Sequence, residues 1–206
     1  NLGGSITTTG TQTYTGAVTL SGGDRILQGS TVNFGGTITG TGSHDLTVTG
    51  NLDLDDAMTS VVDLSVSGTS NLGADITTTG TQTYTGVVTL SGGDRILQGS
   101  TVNFGGTITG TGSHDLTVTG NLDLDDAMTS VVDLSVSGTS NLGADITTTG
   151  TQTYNNAVTL TGDTTLATSN SNISFNSTVN SDAIGTKRDL TLTLGSGAAS
   201  FTGIVG

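Results

Sequence analysis

The chain has 206 residues, no Pro, Cys or Trp, and 17 acidic against four basic residues, for a net charge of −13. Thr, Gly, Ser, Asp and Asn supply 130 of the 206 residues, and every acid is Asp. That composition excludes a helical protein, which draws on Ala, Leu, Glu and Lys. It also excludes a membrane-spanning helix, which needs ~20 apolar residues in a row. So strong an acidic balance repels phosphate backbones and excludes nucleic acid as a partner. Without cysteine there are no disulfides or thiolate metal sites. A chain opening at Asn1 with no Met, basic n-region or apolar h-region reads as a processed product or an excised piece.

Residues 1–70 recur as 71–140 with three changes, Gly4→Ala74, Ser5→Asp75 and Ala17→Val87. A third copy, 141–206, stays close through Leu160 and then diverges, regaining phase at Phe175 and at Asp189-Leu190-Thr191-Leu192. Two near-identical units and a divergent third, joined without linkers, point to one continuous elongated domain, a stacked array rather than a closed core.

In chain order the first copy offers short strand windows at Ile6–Thr9, Thr11–Thr15, Ala17–Leu20, Ser30–Phe34, Thr37–Thr39, Asp45–Thr49, Asn51–Asp55 and Val61–Ser67. Most alternate apolar with polar, the period of a strand with one dry face. Glycines such as Gly10, Gly16, Gly29, Gly50 and Gly68 stand between them as turn residues. About ten windows per copy, three to a coil, predict roughly three coils of ~23 residues per 70-residue repeat, an all-β parallel solenoid. Coils stacked at ~4.8 Å predict a rise of ~14 Å per copy and ~45 Å in all. A tandem of immunoglobulin-like sandwiches needs ~100 residues per domain and a bulkier core. Sustained alternation argues against a disordered Gly/Ser/Thr linker.

The predicted interior is a thin column of Val18, Leu20, Ile38, Leu46, Val48, Leu54, Leu64 and Val66. Thr fits the outward pleat, and the absence of Pro fits strands paired on both edges.

Three segments, Ile76–Leu90, Ser100–Ile108 and His114–Gly120, together with the final Arg188–Gly206, resemble the strand repeats of giant bacterial exoproteins, the filamentous-haemagglutinin-like and autotransporter-type β-repeat proteins. The resemblance covers nearly the whole chain. It implies a right-handed β-helix stalk, secreted or held at the bacterial cell surface, in an adhesin, extracellular fibre or biofilm matrix. The secretion domain and translocator barrel of such proteins have no counterpart in these 206 residues.

Several groups are candidates for chemistry. Asp53, Asp55 and Asp56, repeated as Asp123, Asp125 and Asp126, form the densest acidic cluster. Carboxylates grouped at a strand end suit a hard cation such as Ca²⁺, although no EF-hand or Gly-Gly-x-Gly-x-Asp spacing accompanies them. Asp45 and Asp63 open related strings 18 residues apart; stacked on adjacent coils they would repel by about 1 kcal/mol, which a cation would relieve. Thr-x-Thr pairs at 11–13, 37–39 and 47–49 could order water as an ice-binding face does, but lack constant spacing, and β-propensity explains them more simply.

His44 and His114 sit in Gly-Ser-His-Asp strings where the third copy has Lys187-Arg188-Asp189, so an imidazole role is not expected. Those strings, with Asp24-Arg25 and Asp94-Arg95, read as solvated ion pairs. Tyr14, Tyr84 and Tyr154, one repeat apart, and Phe34 and Phe104 read as local core or rim residues rather than a sugar-binding platform. The sequons at Asn172 and Asn176 fall in a segment rich in Asn and Ser, where chance supplies them.

Candidate residues duplicated in identical context suit a scaffold better than an enzyme, whose pocket would be single and would fall in the divergent 161–189. The sequence thus predicts a structural shaft module that binds no obligatory cofactor. Its expected partners are further copies of itself end to end and a host-surface or matrix polysaccharide. A solenoid face binding carbohydrate, ice or a Ca²⁺-bridged partner is the alternative.

Overall fold

The computed structural model describes residues 1–41, 44–110, 114–185 and 187–206. It contains 26 strands and no helix among the described residues, all in one sheet. The first copy supplies β1 (Ile6–Thr7), β2 (Gln12–Tyr14), β3 (Val18–Leu20), β4 (Arg25–Phe34), β5 (Ile38–Gly40), β6 (Leu46–Leu54), β7 (Met58–Val61), β8 (Leu64–Val66) and β9 (Ser70–Leu72). All pairings are parallel and all join one turn to the next, as in β1 with β4 and β2 with the later half of β4.

Each turn has three sides. The first carries β1, the start of β4, the start of β6 and β8. The second carries β2, the ends of β4 and β6, and β9. The third carries β3, β5 and β7. The second side can be followed rung by rung through Gln12, Val32, Leu52, Ser70, Val88, Ile108, Met128, Ile146, Leu166 and Leu192. The result is a β-solenoid of about nine turns. At ~4.8 Å per rung this is a rod ~43 Å long.

The turns are tighter than the window count implies. Corresponding residues lie 18, 20 or 21 positions apart, and 26 at the last turn, rather than about 23. Strands of three residues alternate with equally short corners, so each side consumes few residues. Three turns carry the chain from Gln12 only as far as Ser70, and Gln82, the counterpart of Gln12, lies two sides further on. A copy therefore spans three and two-thirds turns. Roughly three turns per repeat sharpens to that value, and it sets the orientation of every repeated residue. Gln12 and Tyr14 lie on the second side, Gln82 and Tyr84 on the first, Gln152 and Tyr154 on the third.

Alternation decides what faces inward. All eight predicted core residues are buried, in a cluster that runs unbroken from Val18 to Val179. Because the partners above and below are in register, like stacks on like, as Leu46 on Leu64 and Val48 on Val66. Gly50 and Gly120 let the strand bend from one side to the next without ending. Their φ values are 131° and 137°, and a Cβ there would collide with the carbonyl of Gly29 or Gly99 on the turn below.

Candidate functional site

The corners explain the aspartates. Asp24 Oδ1 accepts the backbone N–H of Asp45 at 3.1 Å, and Asp45 Oδ1 accepts that of Asp63 at 3.1 Å. Asp63 Oδ1 then accepts both the backbone N–H of Thr81 at 2.5 Å and its hydroxyl at 3.1 Å. The second copy repeats the series through Asp94, Asp115 and Asp133 to Thr151. Asp75, Asp145 and Asp163 cap Ile96, Thr165 and Asp189 in the same way. Asn51 and Asn121 do so for Thr69 and Thr139. A corner N–H that turns away from the sheet ladder needs an acceptor, and a one-carbon carboxylate or amide on the turn below supplies it. Asp45 and Asp63 do stack on adjacent turns, as their spacing predicts, and these backbone donors are what their carboxylates accept.

The acidic cluster does not converge. Asp53 points outward from the second side, where Asn33 Nδ2 donates to one of its oxygens at 2.7 Å and Asn71 Nδ2 to the other at 2.8 Å. Asp55 is exposed beyond the strand end, and Asp56 accepts the N–H of Ala57 within its own corner. Asp125 and Asp126 repeat those positions, Asp126 capping Ala127, while Asp123 lies in register between Asn103 and Asn141. Among the described residues no group of three or more His or Asp could hold a metal ion.

The outward residues form ranks along the rod. On the second side Thr13, Asn33, Asp53, Asn71 and Thr89 follow one another. On the first side the same five types recur as Thr83, Asn103, Asp123, Asn141 and Thr159. The counterpart on the third side, Thr153, Ser174 and Ser200, lacks both carboxylate and amide. The Thr-x-Thr pairs of the first copy lie on the second, third and first sides respectively, so they do not share a plane. A trough of about 300 Å³ on the second side lies between Thr31, Asn51 and Thr69 on one flank and Asp53, Asn71 and Thr89 on the other.

Two readings of the basic residues are corrected. Arg25 and Arg95 are buried, not solvated, because backbone carbonyls at the corner accept hydrogen bonds from their guanidinium N–H groups. Arg25 donates to the carbonyls of Leu2 at 2.8 Å, Asp24 at 2.7 Å and Ser21. Arg95 donates to those of Leu72 at 3.1 Å and Ser91 at 2.6 Å. Its ion pair, at 3.5 Å, is with Asp75 rather than Asp94. In the third copy the corner is one residue shorter and Thr164 replaces the arginine, its hydroxyl taking the carbonyls of Leu142 and Gly162.

Arg188 pairs with Asp182, not Asp189, through bonds of 3.0 and 3.1 Å, which lower the Asp182 carboxyl and raise the guanidinium. His44 and His114 are half-buried and their carbonyls accept the N–H groups of Val62 and Val132; parts of both Gly-Ser-His-Asp strings lie outside the described residues. A cavity of about 390 Å³ lies in the divergent segment, lined by Leu160, Val179, Asn180, Ser181, Lys187, Arg188 and the terminal Gly206 among others.

No family model, curated protein or solved structure matches this chain.

Inside the rod is a polar node that periodicity alone did not disclose. Gln82 and Gln152 are fully buried. Gln82 Nε2 donates to the Gln98 carbonyl at 2.8 Å, and Gln82 Oε1 accepts the Tyr84 hydroxyl at 2.9 Å; Gln152 and Tyr154 repeat this with the Ala167 carbonyl. Burial raises the phenols of Tyr84 and Tyr154 far above their ordinary range. Each tyrosine stacks on a phenylalanine one turn on: Tyr14 on Phe34 at 5.1 Å, Tyr84 on Phe104 at 5.4 Å and Tyr154 on Phe175 at 5.3 Å. The repeated aromatics are core pieces stacked on neighbours within their own copy.

Proposed function

We infer that the chain is a load-bearing shaft segment of a secreted or surface-attached bacterial adhesin or extracellular fibre, acting through length and stiffness rather than turnover. One observation carries the reading: a single parallel ladder passes through all three copies without a break, so adding copies lengthens the rod and does nothing else to its core. Pulling on the ends of such a rod loads many backbone hydrogen bonds at each rung. The polar groups that repeat, the corner aspartates, the buried arginines and the Gln–Tyr nodes, are occupied by the fold itself. The exoprotein resemblance supports a place outside the cell.

At each end of the ladder the outermost strands have an unpaired edge, and the last turn exposes Phe201, Ile204 and Val205. These edges join end to end, to further repeats or to another copy. Small-angle scattering of the 206-residue chain, with light scattering over a concentration series, tests both statements. A rod ~43 Å long, and multiples of it at high concentration, is the expected result. A globular scattering profile overturns the shaft, and a strictly monomeric rod at high concentration overturns the joining to another copy.

A further inference from the structure

We propose that the trough around Asp53 is a subsite for a neutral, hydroxyl-rich polysaccharide. The trough runs along the rod, across successive rungs, so its polar groups repeat at ~4.8 Å, close to the advance of one pyranose unit in an extended chain. Its volume of about 300 Å³ suits one or two sugar units.

The chemistry on its flank is fixed in advance. Asn33 and Asn71 clamp the two Asp53 oxygens at 2.7 and 2.8 Å, and Asn71 Oδ1 in turn accepts the Ser91 hydroxyl at 2.7 Å. A carboxylate held in this way keeps lone pairs directed outward for a pair of sugar hydroxyls and loses little side-chain entropy when it binds them. Thr69 and Thr89 add hydroxyls that both donate and accept. The trough has one carboxylate and no cation in its lining, so uronate or sulfate groups are repelled and plain hydroxyls are accepted.

The five-residue rank recurs in identical sequence on the first side. There Asn103 Nδ2 donates to the Thr83 hydroxyl at 3.4 Å rather than to the carboxylate, so Asp123 lacks the clamp that fixes Asp53 and serves as an internal comparison. The third copy, with Thr153, Ser174 and Ser200 at these positions, has no such subsite. None of this depends on the rod being a shaft, since an isolated segment and a segment within a longer fibre bind alike.

Calorimetry and saturation-transfer NMR on the 206-residue chain, with cellohexaose and mannohexaose as neutral probes and oligogalacturonate as the acidic one, test the assignment. At least one neutral probe binds at millimolar concentration or tighter, one per chain, and oligogalacturonate at least tenfold more weakly. Asp53→Ala abolishes binding, and Asp123→Ala leaves it unchanged. Thr69→Arg fills the trough from an exposed rim position without touching the amide clamp, and also abolishes binding. The proposal falls if neither neutral probe binds, if the acidic probe binds equally well, if Asp53→Ala binds as Asp123→Ala does, or if the arginine variant binds like the parent.

Discussion

The side chain of Asp45 accepts the backbone N–H of Asp63 one turn further along the rod at 3.1 Å, so the two stacked acids are linked through the backbone of one of them. The same bond at corner after corner makes these aspartates acceptors first and charges second. Thr-rich strands bring few side chains able to reach a corner N–H on the next turn, and Asp and Asn have the reach.

Charge removal at these corners is therefore expected to be mild and acceptor removal harmful. Asp63→Asn keeps an oxygen for Thr81 and relieves part of the net −13, so it holds or raises the melting temperature. Asp63→Ala strands the Thr81 N–H and lowers stability by about 1–2 kcal/mol. Urea melts at low and high salt separate the two effects, because added salt stabilises the parent more than it stabilises Asp63→Asn.

The four cations divide into two that are structural and two that are not. Arg95→Met leaves the Ser91 carbonyl without its guanidinium donors and the Leu72 carbonyl with only the Ser91 N–H, in a buried corner, and costs about 3 kcal/mol. Arg188→Met, on the surface, breaks only the pair with Asp182 and leaves the thermal transition where it was. Equal effects in the two variants would mean that the buried guanidinium is not what holds its corner.

Ser70 and Ser140 each lie between two apolar residues of the adjacent turns, Leu52 and Val88 for one and Leu122 and Val158 for the other, and their hydroxyls are buried without a hydrogen-bond partner. An unsatisfied buried hydroxyl is destabilising. Ser70→Ala and Ser140→Ala are each expected to stabilise the rod by about 1 kcal/mol, read from denaturant midpoints at unchanged m-value.

Alkali is expected to unfold the rod through its tyrosines. Burial keeps Tyr84 and Tyr154 protonated in the folded chain, while in the unfolded chain they ionise near pH 10. Above that pH the unfolded state binds fewer protons than the folded one, so stability falls by about 1.4 kcal/mol per pH unit per tyrosine. Below about pH 9 neither state ionises and the contribution is constant. Melting temperature is thus flat from neutrality to about pH 9 and drops beyond pH 10. Tyr84→Phe with Tyr154→Phe flattens that drop, and lowers the neutral value because Gln82 and Gln152 lose a donor.

Much of this was legible before the coordinates. Leu46-Thr47-Val48 announces its own parity, and the core residues read from such triplets are all buried. The stacking of Asp45 and Asp63 followed from their 18-residue spacing. What stayed hidden has a common cause. The partners of Arg25, Gln82 and the corner aspartates are backbone groups, which carry no signature in sequence, and many of them lie a full turn away. Arg25 beside Asp24 looks like an ion pair on paper, yet the two side chains serve different turns. The turn is shorter than the window count implies because the sides at Arg25–Gln28 and Ser70–Leu72 carry no clear alternating window, so counting windows undercounts sides.

The fractional turn count has a consequence for how the protein changes over generations. Tandem copies this alike invite unequal recombination, and each gain or loss of one copy alters azimuth as well as reach. Whatever the distal end carries swings by a third of a circle with every copy added, and only a change of three at once returns it to its original heading.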